Sequence, residues 1–122
     1  MGKVLVVDDE VDICTLLKLQ LEKGGQEVSY CLTIKDALST LSQNSYDMIF
    51  VDLNLTDGSG YDLISSLDGA NRNAAIIVIS AYDSEKQKAL QAGATLFVPK
   101  PFTNKSISDA LQRLQAQNQQ QP

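Results

Sequence analysis

Met48-Ile49-Phe50-Val51-Asp52-Leu53-Asn54 places four uninterrupted large apolar side chains directly ahead of a carboxylate. A short apolar run bounded by turn-forming residues is the pattern of a strand buried on both faces. Asp52 ends the run, where packing has no use for a charge. Turn formers follow at once, in Thr56, Asp57, Gly58, Ser59 and Gly60. The stretch therefore predicts a buried strand over 47–52 that surfaces at Asp52.

The same device recurs on both sides of it. Lys3 to Val7 is apolar and is closed by Asp8-Asp9-Glu10. Ala75 to Ser80 carries Ile76-Ile77-Val78-Ile79 and closes on a hydroxyl; Thr95 to Val98 is closed by Pro99-Lys100-Pro101. Gln26 to Cys31 alternates, with Val28 and Tyr30 as its apolar positions, and predicts an edge or half-exposed strand. Helical spacing fills the intervals. Ile13, Leu16, Leu17 and Leu21 predict a helix from about Glu10 to Lys23, stopped by Gly24-Gly25. Thr33 with Asp36 forms a capping-box pattern ahead of Ile34, Ala37, Leu38 and Leu41, and Asn44-Ser45 breaks that helix. A short helix carries Leu63, Ile64 and Leu67, and residues 68–73 form a polar loop. Ser84 with Gln87 predicts a second capping box and a helix to Gln91, stopped by Gly93. Its apolar face is thin (Ala89, Leu90, Ala92), so it is expected to be the loosest helix. Thr103 or Asn104 caps a last helix bearing Ile107, Ala110, Leu111 and Leu114. Five strands alternating with five helices predict an α/β fold, a parallel sheet with helices on both faces. Residues 1–115 form the domain, and 116–122 a polar Gln-rich tail or the start of a linker.

Composition narrows the function. At 122 residues and 43% hydrophobic, the chain suits one ordered domain. A net charge of −5 argues against a nucleic-acid surface, which needs clustered Lys and Arg. Histidine is absent, which removes the usual zinc ligand and the usual general base. Cys14 and Cys31 form no CxxC and are expected to be buried reduced thiols. No apolar run approaches a membrane span and no signal peptide precedes the first strand, so a cytoplasmic protein without membrane contact is expected.

The C-terminal ends of the strands carry the chemistry. In a parallel sheet those ends share one edge, where ligands bind. Asp8 and Asp9, Asp52, Ser80 and Lys100 therefore converge. Carboxylates about 4 Å apart at a partly screened site repel by about 4 kcal/mol per pair. A hard divalent cation such as Mg²⁺ removes that repulsion and keeps positions open for a phosphate oxygen. Lys100 supplies a second positive charge, and Asp52 is left as a nucleophile able to form an aspartyl phosphate.

These residues resemble the receiver domain of the two-component response regulators. The matching stretches are Val6-Val7-Asp8-Asp9-Glu10, Val51 to Leu55 with Asp57-Gly58-Ser59-Gly60, Ile79-Ser80-Ala81, and Val98-Pro99-Lys100-Pro101-Phe102, and the resemblance covers essentially residues 2–115. Each is weak alone, and in this order they are specific. The resemblance implies a flavodoxin-like (βα)5 three-layer sandwich with strand order 2-1-3-4-5. It implies that Asp52 accepts a phosphoryl group from a sensor histidine kinase or a histidine phosphotransfer protein. Mg²⁺, or Mn²⁺ in its place, would be held by Asp8, Asp9, Asp52 and the backbone carbonyl of Asn54, with Asp9 the more direct ligand of the first two. Ser80 and Phe97 match the switch pair, and Lys100-Pro101 is expected to be cis. The face of the fourth helix, fifth strand and fifth helix would report the change to an output protein or domain, or form a homodimer. Two departures stand out. Thr56 replaces a common proline, which predicts a less stiff loop, and Phe97 replaces a common tyrosine, which removes a phenol hydroxyl. Tyr82 and Asn54 match positions that tune phosphoryl lifetime.

Other readings of the residues are weaker. Asp8-Asp9-Glu10 could be a helix N-terminus and Lys100 a solvated turn residue, but not both beside Asp52 and Ser80. Asp52 to Gly58 vaguely resembles a calcium loop, yet its glycine is one place late and a strand precedes it. A Mg²⁺-dependent phosphohydrolase with an aspartyl intermediate would need a second acid where Asn54 stands. A phosphate-independent interaction module of the same fold would lack one of the acids or the lysine. The expectation is thus a signalling switch, catalytic only in its own phosphorylation and dephosphorylation. Its output is not encoded in these residues, which fit a stand-alone receiver or one cut from a longer chain.

Overall fold

The computed structural model describes residues 2–119. Five strands, β1 (Lys3–Val7), β2 (Glu27–Cys31), β3 (Met48–Asp52), β4 (Ala75–Ser80) and β5 (Leu96–Pro99), form one parallel sheet in the order β2-β1-β3-β4-β5. The crossovers are α1 (Val11–Lys23), α2 (Ile34–Gln43), α3 (Gly60–Ser65) and α4 (Lys86–Gln91), and α5 (Asn104–Gln119) follows the last strand. The fold is the expected flavodoxin-like sandwich. The chain leaves β1 toward β2 and then crosses back to β3, so a crevice opens where the winding reverses, between the ends of β1 and β3. Val51 of β3 lies opposite Val7 of β1 and Val78 of β4, which brings those ends level.

Alternation along β3 divides the interior. Ile49 and Val51 face the layer of α2, α3 and α4, packing with Ile34, Ala37, Leu63 and Ala89. Phe50 faces the layer of α1 and α5, packing with Cys14, Leu17, Leu21, Ile107, Ala110 and Leu114. Phe50 is fully buried, a burial that stabilises the fold by about 1.5–3 kcal/mol. Neither half of the core forms unless β3 is central, which is why the apolar run before Asp52 decides the fold.

Several local expectations shift. Leu16 is 51% exposed and Cys14 takes its place in the core. Successive helical residues are turned by about 100°, so Leu16 falls off the face that Leu17 buries. Leu38 is exposed for the same reason, beside buried Ala37. On β2, Val28 is buried and Tyr30 largely exposed, as an edge strand permits. Ser84 makes no capping bond. A 3₁₀ turn over Asp83–Glu85 leads into α4, with Glu85 N–H donating to Tyr82 O, so the helix begins later and is one short segment. Residues 68–73 contain more than a polar loop. Gly69–Asn71 is a 3₁₀ turn, and buried Asn71 accepts from Tyr46 N–H at 2.8 Å and donates to the carbonyls of Leu41 and Asn44. The Thr33 cap forms as expected, and Thr103 caps α5 reciprocally with Ser106. α5 runs on into the Gln-rich segment as far as Gln119; residues 120–122 lie outside the described residues. Among the described residues, no helix is long and apolar enough to cross a membrane.

Candidate functional site

The sheet edge at the β1/β3 crevice collects the expected residues. Asp8 follows β1, held there by its N–H donating to Cys31 O of β2 at 3.1 Å, and it is fully buried. Its Oδ1 accepts the Glu10 N–H at 2.9 Å, which turns the chain into α1. Asp52 ends β3 and is 5% exposed, with Oδ1 accepting the Asn54 N–H at 3.2 Å. Ser80 ends β4 and is fully buried; its Oγ accepts the Tyr82 N–H at 3.1 Å. Lys100 follows β5, and its own N–H donates to Ser80 O at 2.8 Å, which ties the ends of β4 and β5 together. The Lys100–Pro101 peptide is cis.

Lys100 is the hub. Its Nζ lies 2.9 Å from Asp8 Oδ2, 3.1 Å from Asp52 Oδ2 and 3.4 Å from Glu10 Oε1. Burial alone pushes this ammonium toward deprotonation, but its bonds to Asp8 and Asp52 and their charges outweigh that and hold it above the ordinary lysine value. Burial pushes the Asp8 carboxyl above the ordinary aspartate value, against the Glu10 N–H and Lys100; the charge of Asp52 adds to the rise. Asp8 Oδ2 is buried, and the Lys100 ammonium at 2.9 Å is its partner.

The acids around Asp8 test the fit of a cation. Oxygens of Asp8, Asp9, Glu10 and Asp52 all lie within 4.8 Å of one another. Four carboxylates against one lysine leave an excess of negative charge that a hard, oxygen-seeking divalent ion would neutralise. The donor set fits Mg²⁺. Glu10 belongs to this cluster in addition to the expected acids Asp8, Asp9 and Asp52. Its place in the Asp-Asp-Glu run was the available signal.

The remaining residues frame the site. Asn54 begins a two-residue strand, Asn54–Leu55, paired antiparallel with Gly58–Ser59. At the tip of this hairpin Thr56 donates from Oγ1 to Asp9 Oδ2 at 3.0 Å. Asp57 accepts the N–H groups of Ile34 and Lys35, at 2.9 and 3.1 Å, and so caps α2 from a distant loop. A threonine hydroxyl thus fastens the loop where a proline ring was missed. Gly60 closes the turn: a Cβ there would collide with the Asp52 carbonyl oxygen. Phe97 is partly buried against the α2–α3–α4 side of the core. Tyr61 of α3 donates to Glu85 at 2.7 Å, joining the loop after Asp52 to the turn before α4. Both cysteines are free and buried. Burial and then the nearby Asp8 charge push the Cys14 thiol up to about 12, which leaves it inert.

Comparison with known proteins identifies the family and the fold. The response regulator receiver domain family matches residues 4–112. The chain is 33% identical to the sensory transduction protein LytT of Bacillus anthracis, over 99% of this chain and 50% of that protein. It is 34% identical to the transcriptional regulatory protein LytR of Staphylococcus aureus (strain N315), over 93% of this chain and 47% of that protein. The chain therefore spans about half the length of these curated relatives. Among solved structures, the chemotaxis response regulator CheY4 of Vibrio cholerae superposes with a TM-score of 0.86 at 26% identity, covering 93% of this chain and 98% of that one. The response regulator TrrA of Thermotoga maritima, solved in complex with Mg²⁺ and BeF, gives 0.83 at 27% identity, covering 93% and 99%.

Proposed function

Because the chain belongs to the response regulator receiver domain family, we propose that it is a phosphorylation-dependent switch whose phosphoryl acceptor is Asp52. The observation that carries this reading is the placement of Asp52 Oδ2 at 3.1 Å from Lys100, on the edge that also gathers Asp8 and Asp9. The donor is a phosphohistidine on a sensor histidine kinase or a histidine phosphotransfer protein. A carboxylate oxygen of Asp52 attacks phosphorus, the P–N bond breaks, and the imidazole leaves with the electron pair. The Asn54 N–H on Oδ1 fixes the carboxylate plane for that attack. Lys100 balances the charge on a phosphoryl oxygen as its contact with the free carboxylate is replaced. Asp8, Asp9, Asp52 and the Asn54 carbonyl would hold Mg²⁺, which when bound neutralises the acids and polarises the phosphoryl group; Mn²⁺ could serve in its place.

The phosphoryl group adds acceptor oxygens beside Ser80, whose hydroxyl turns from the Tyr82 N–H toward it. Phe97 then moves further into the space that the loop vacates. The face of α4, β5 and α5, on which Phe97 lies, passes the change to an output partner or a second copy of the chain. One relative is named a transcriptional regulator, which favours an output that acts on transcription through a segment other than this acidic domain. A histidine-kinase donor implies a cytoplasmic site of action. Asn54 offers no second carboxylate to activate water, which favours holding the phosphoryl group over turning substrates over.

Intact-mass analysis after incubation with acetyl phosphate and Mg²⁺ tests this reading. One labile phosphoryl adduct is expected on the wild type and none on Asp52→Asn. An unlabelled wild type, or an adduct that survives the substitution, would overturn it.

A further inference from the structure

Thr56 belongs to the cation site as a positioning residue. We propose that its hydroxyl, 3.0 Å from Asp9 Oδ2, holds the Asp9 carboxylate in the divalent-ion cluster and sets the affinity of that cluster for the ion. The inference rests on the cation-dependent phosphoacceptor reading given above.

The acids of the site are not held alike. Asp8 is fully buried, fixed on Oδ1 by the Glu10 N–H and on Oδ2 by contact with Lys100. Asp52 is nearly buried and fixed by the Asn54 N–H and Lys100. Asp9 is only partly buried, and the ion pairs of Lys100 go to Asp8, Glu10 and Asp52 instead. Among the described residues, the Thr56 hydroxyl is the group that donates a side-chain hydrogen bond to it. A partly exposed carboxylate loses rotational freedom when it binds an ion, and a donor that orients it beforehand removes part of that loss. The bond occupies one lone pair on Oδ2, and the carboxylate keeps further lone pairs for an ion.

Thr56 is itself well anchored. It shares the hairpin tip with Asp57, whose carboxylate is fixed on two N–H groups of α2. The base of the hairpin is closed by the Gly60 N–H donating to Leu53 O at 2.9 Å. One turn therefore spans from α2 to the β1–α1 loop, and the hydroxyl is its contact with the metal ligand. The chemistry of the donor set supports an ion here: four carboxylates lie within 4.8 Å of one another against the single charge of Lys100.

The test compares wild type, Thr56→Val, Thr56→Ser and Asp9→Asn. Mn²⁺ binding is read by electron paramagnetic resonance, with Mg²⁺ competing, and circular dichroism checks the fold. Thr56→Val keeps the branched shape and loses the donor; it is expected to bind about tenfold more weakly, the lower end for loss of a ligand's supporting hydrogen bond. Thr56→Ser, which keeps the donor, is expected to restore most of the affinity. In phosphorylation by acetyl phosphate, the Mg²⁺ concentration giving half-maximal rate should rise by a similar factor in Thr56→Val, with a smaller change in the rate at saturation. Wild-type affinity in Thr56→Val, with weakened binding in Asp9→Asn, overturns the role of Thr56 and leaves the cation site standing. Equal weakening in the valine and serine variants also overturns it, since loop shape rather than the hydroxyl would then be responsible. A wild type that binds no divalent ion, or an Asp9→Asn variant that binds normally, overturns the cation site and this proposal with it.

Discussion

Lys100 carries more of the electrostatics of this site than its single charge suggests. It neutralises Asp8 and Asp52, both buried, and reaches Glu10 at the rim. Removing one partner of a buried charge cluster leaves the others uncompensated. In metal-free protein at neutral pH, Lys100→Met is therefore expected to lose about 3 kcal/mol of unfolding free energy, read by urea titration. The sign of its pH dependence follows from Asp8. Burial already raises the folded-state value of that carboxyl, and without the ammonium it rises further. An acid with a raised folded value loses stability as pH climbs from its unfolded toward its folded value, so the deficit should shrink on acidification. A deficit that stays constant from neutral to acidic pH would contradict this account.

The hairpin after β3 links elements that lie far apart in the chain. Asp57 caps α2 with both carboxylate oxygens, a role that no local pattern around Thr33 announces. The bonds from Ile34 and then Lys35 hold its carboxyl below the usual aspartate value. A depressed folded value means that the cap's contribution is complete above the unfolded value, near 3.8, and is lost as pH falls through the lower folded value. The amide resonances of Ile34 and Lys35 should therefore shift, and their exchange accelerate, in that acidic window, and Asp57→Asn should abolish the titration. Unchanged amides through the window would exclude the remote cap. On the far side of the site, Tyr61 and Glu85 join α3 to the turn before α4, with Lys88 over the Tyr61 ring at 4.8 Å. That turn follows Ser80 by three residues, so a change at the hydroxyl has a short covalent route to α4.

For the molecule as a whole, two half-cores on either side of β3 hold a sheet whose C-terminal edge carries unbalanced negative charge. A ligand that binds only the folded state stabilises it by mass action. Mg²⁺ at about a hundredfold over its dissociation constant should stabilise the fold by about 2.7 kcal/mol and raise the thermal midpoint by roughly 10 °C. Asp9→Asn should blunt that rise, and chelation should reverse it in the wild type. A midpoint indifferent to Mg²⁺ would argue that the acids do not act together.

The parallel sheet, its helices and the meeting of Asp8, Asp9, Asp52, Ser80 and Lys100 were legible along the chain. Apolar strands ending in polar residues can be seen one at a time, and parallel pairing then sends all those ends to one edge. The exposure of Leu16 and Leu38 was not legible, because a helix stripe shows its period and not how wide a face the sheet covers. Asn71 looked like loop polarity and is a buried tie between three backbone groups. Thr56 looked like a missing proline and Asp57 like turn chemistry; their partners, Asp9 and the first amides of α2, stand 47 and 23 residues away in the chain. Periodicity along single elements, with parallel pairing, is enough to set the fold and to bring Asp8, Asp9, Asp52 and Lys100 to one edge, while the place of Glu10 in the acid cluster emerges in the folded chain. Which groups hold those residues in place is set by tertiary contacts, since a hydrogen bond between distant loops depends on where the folded chain brings them.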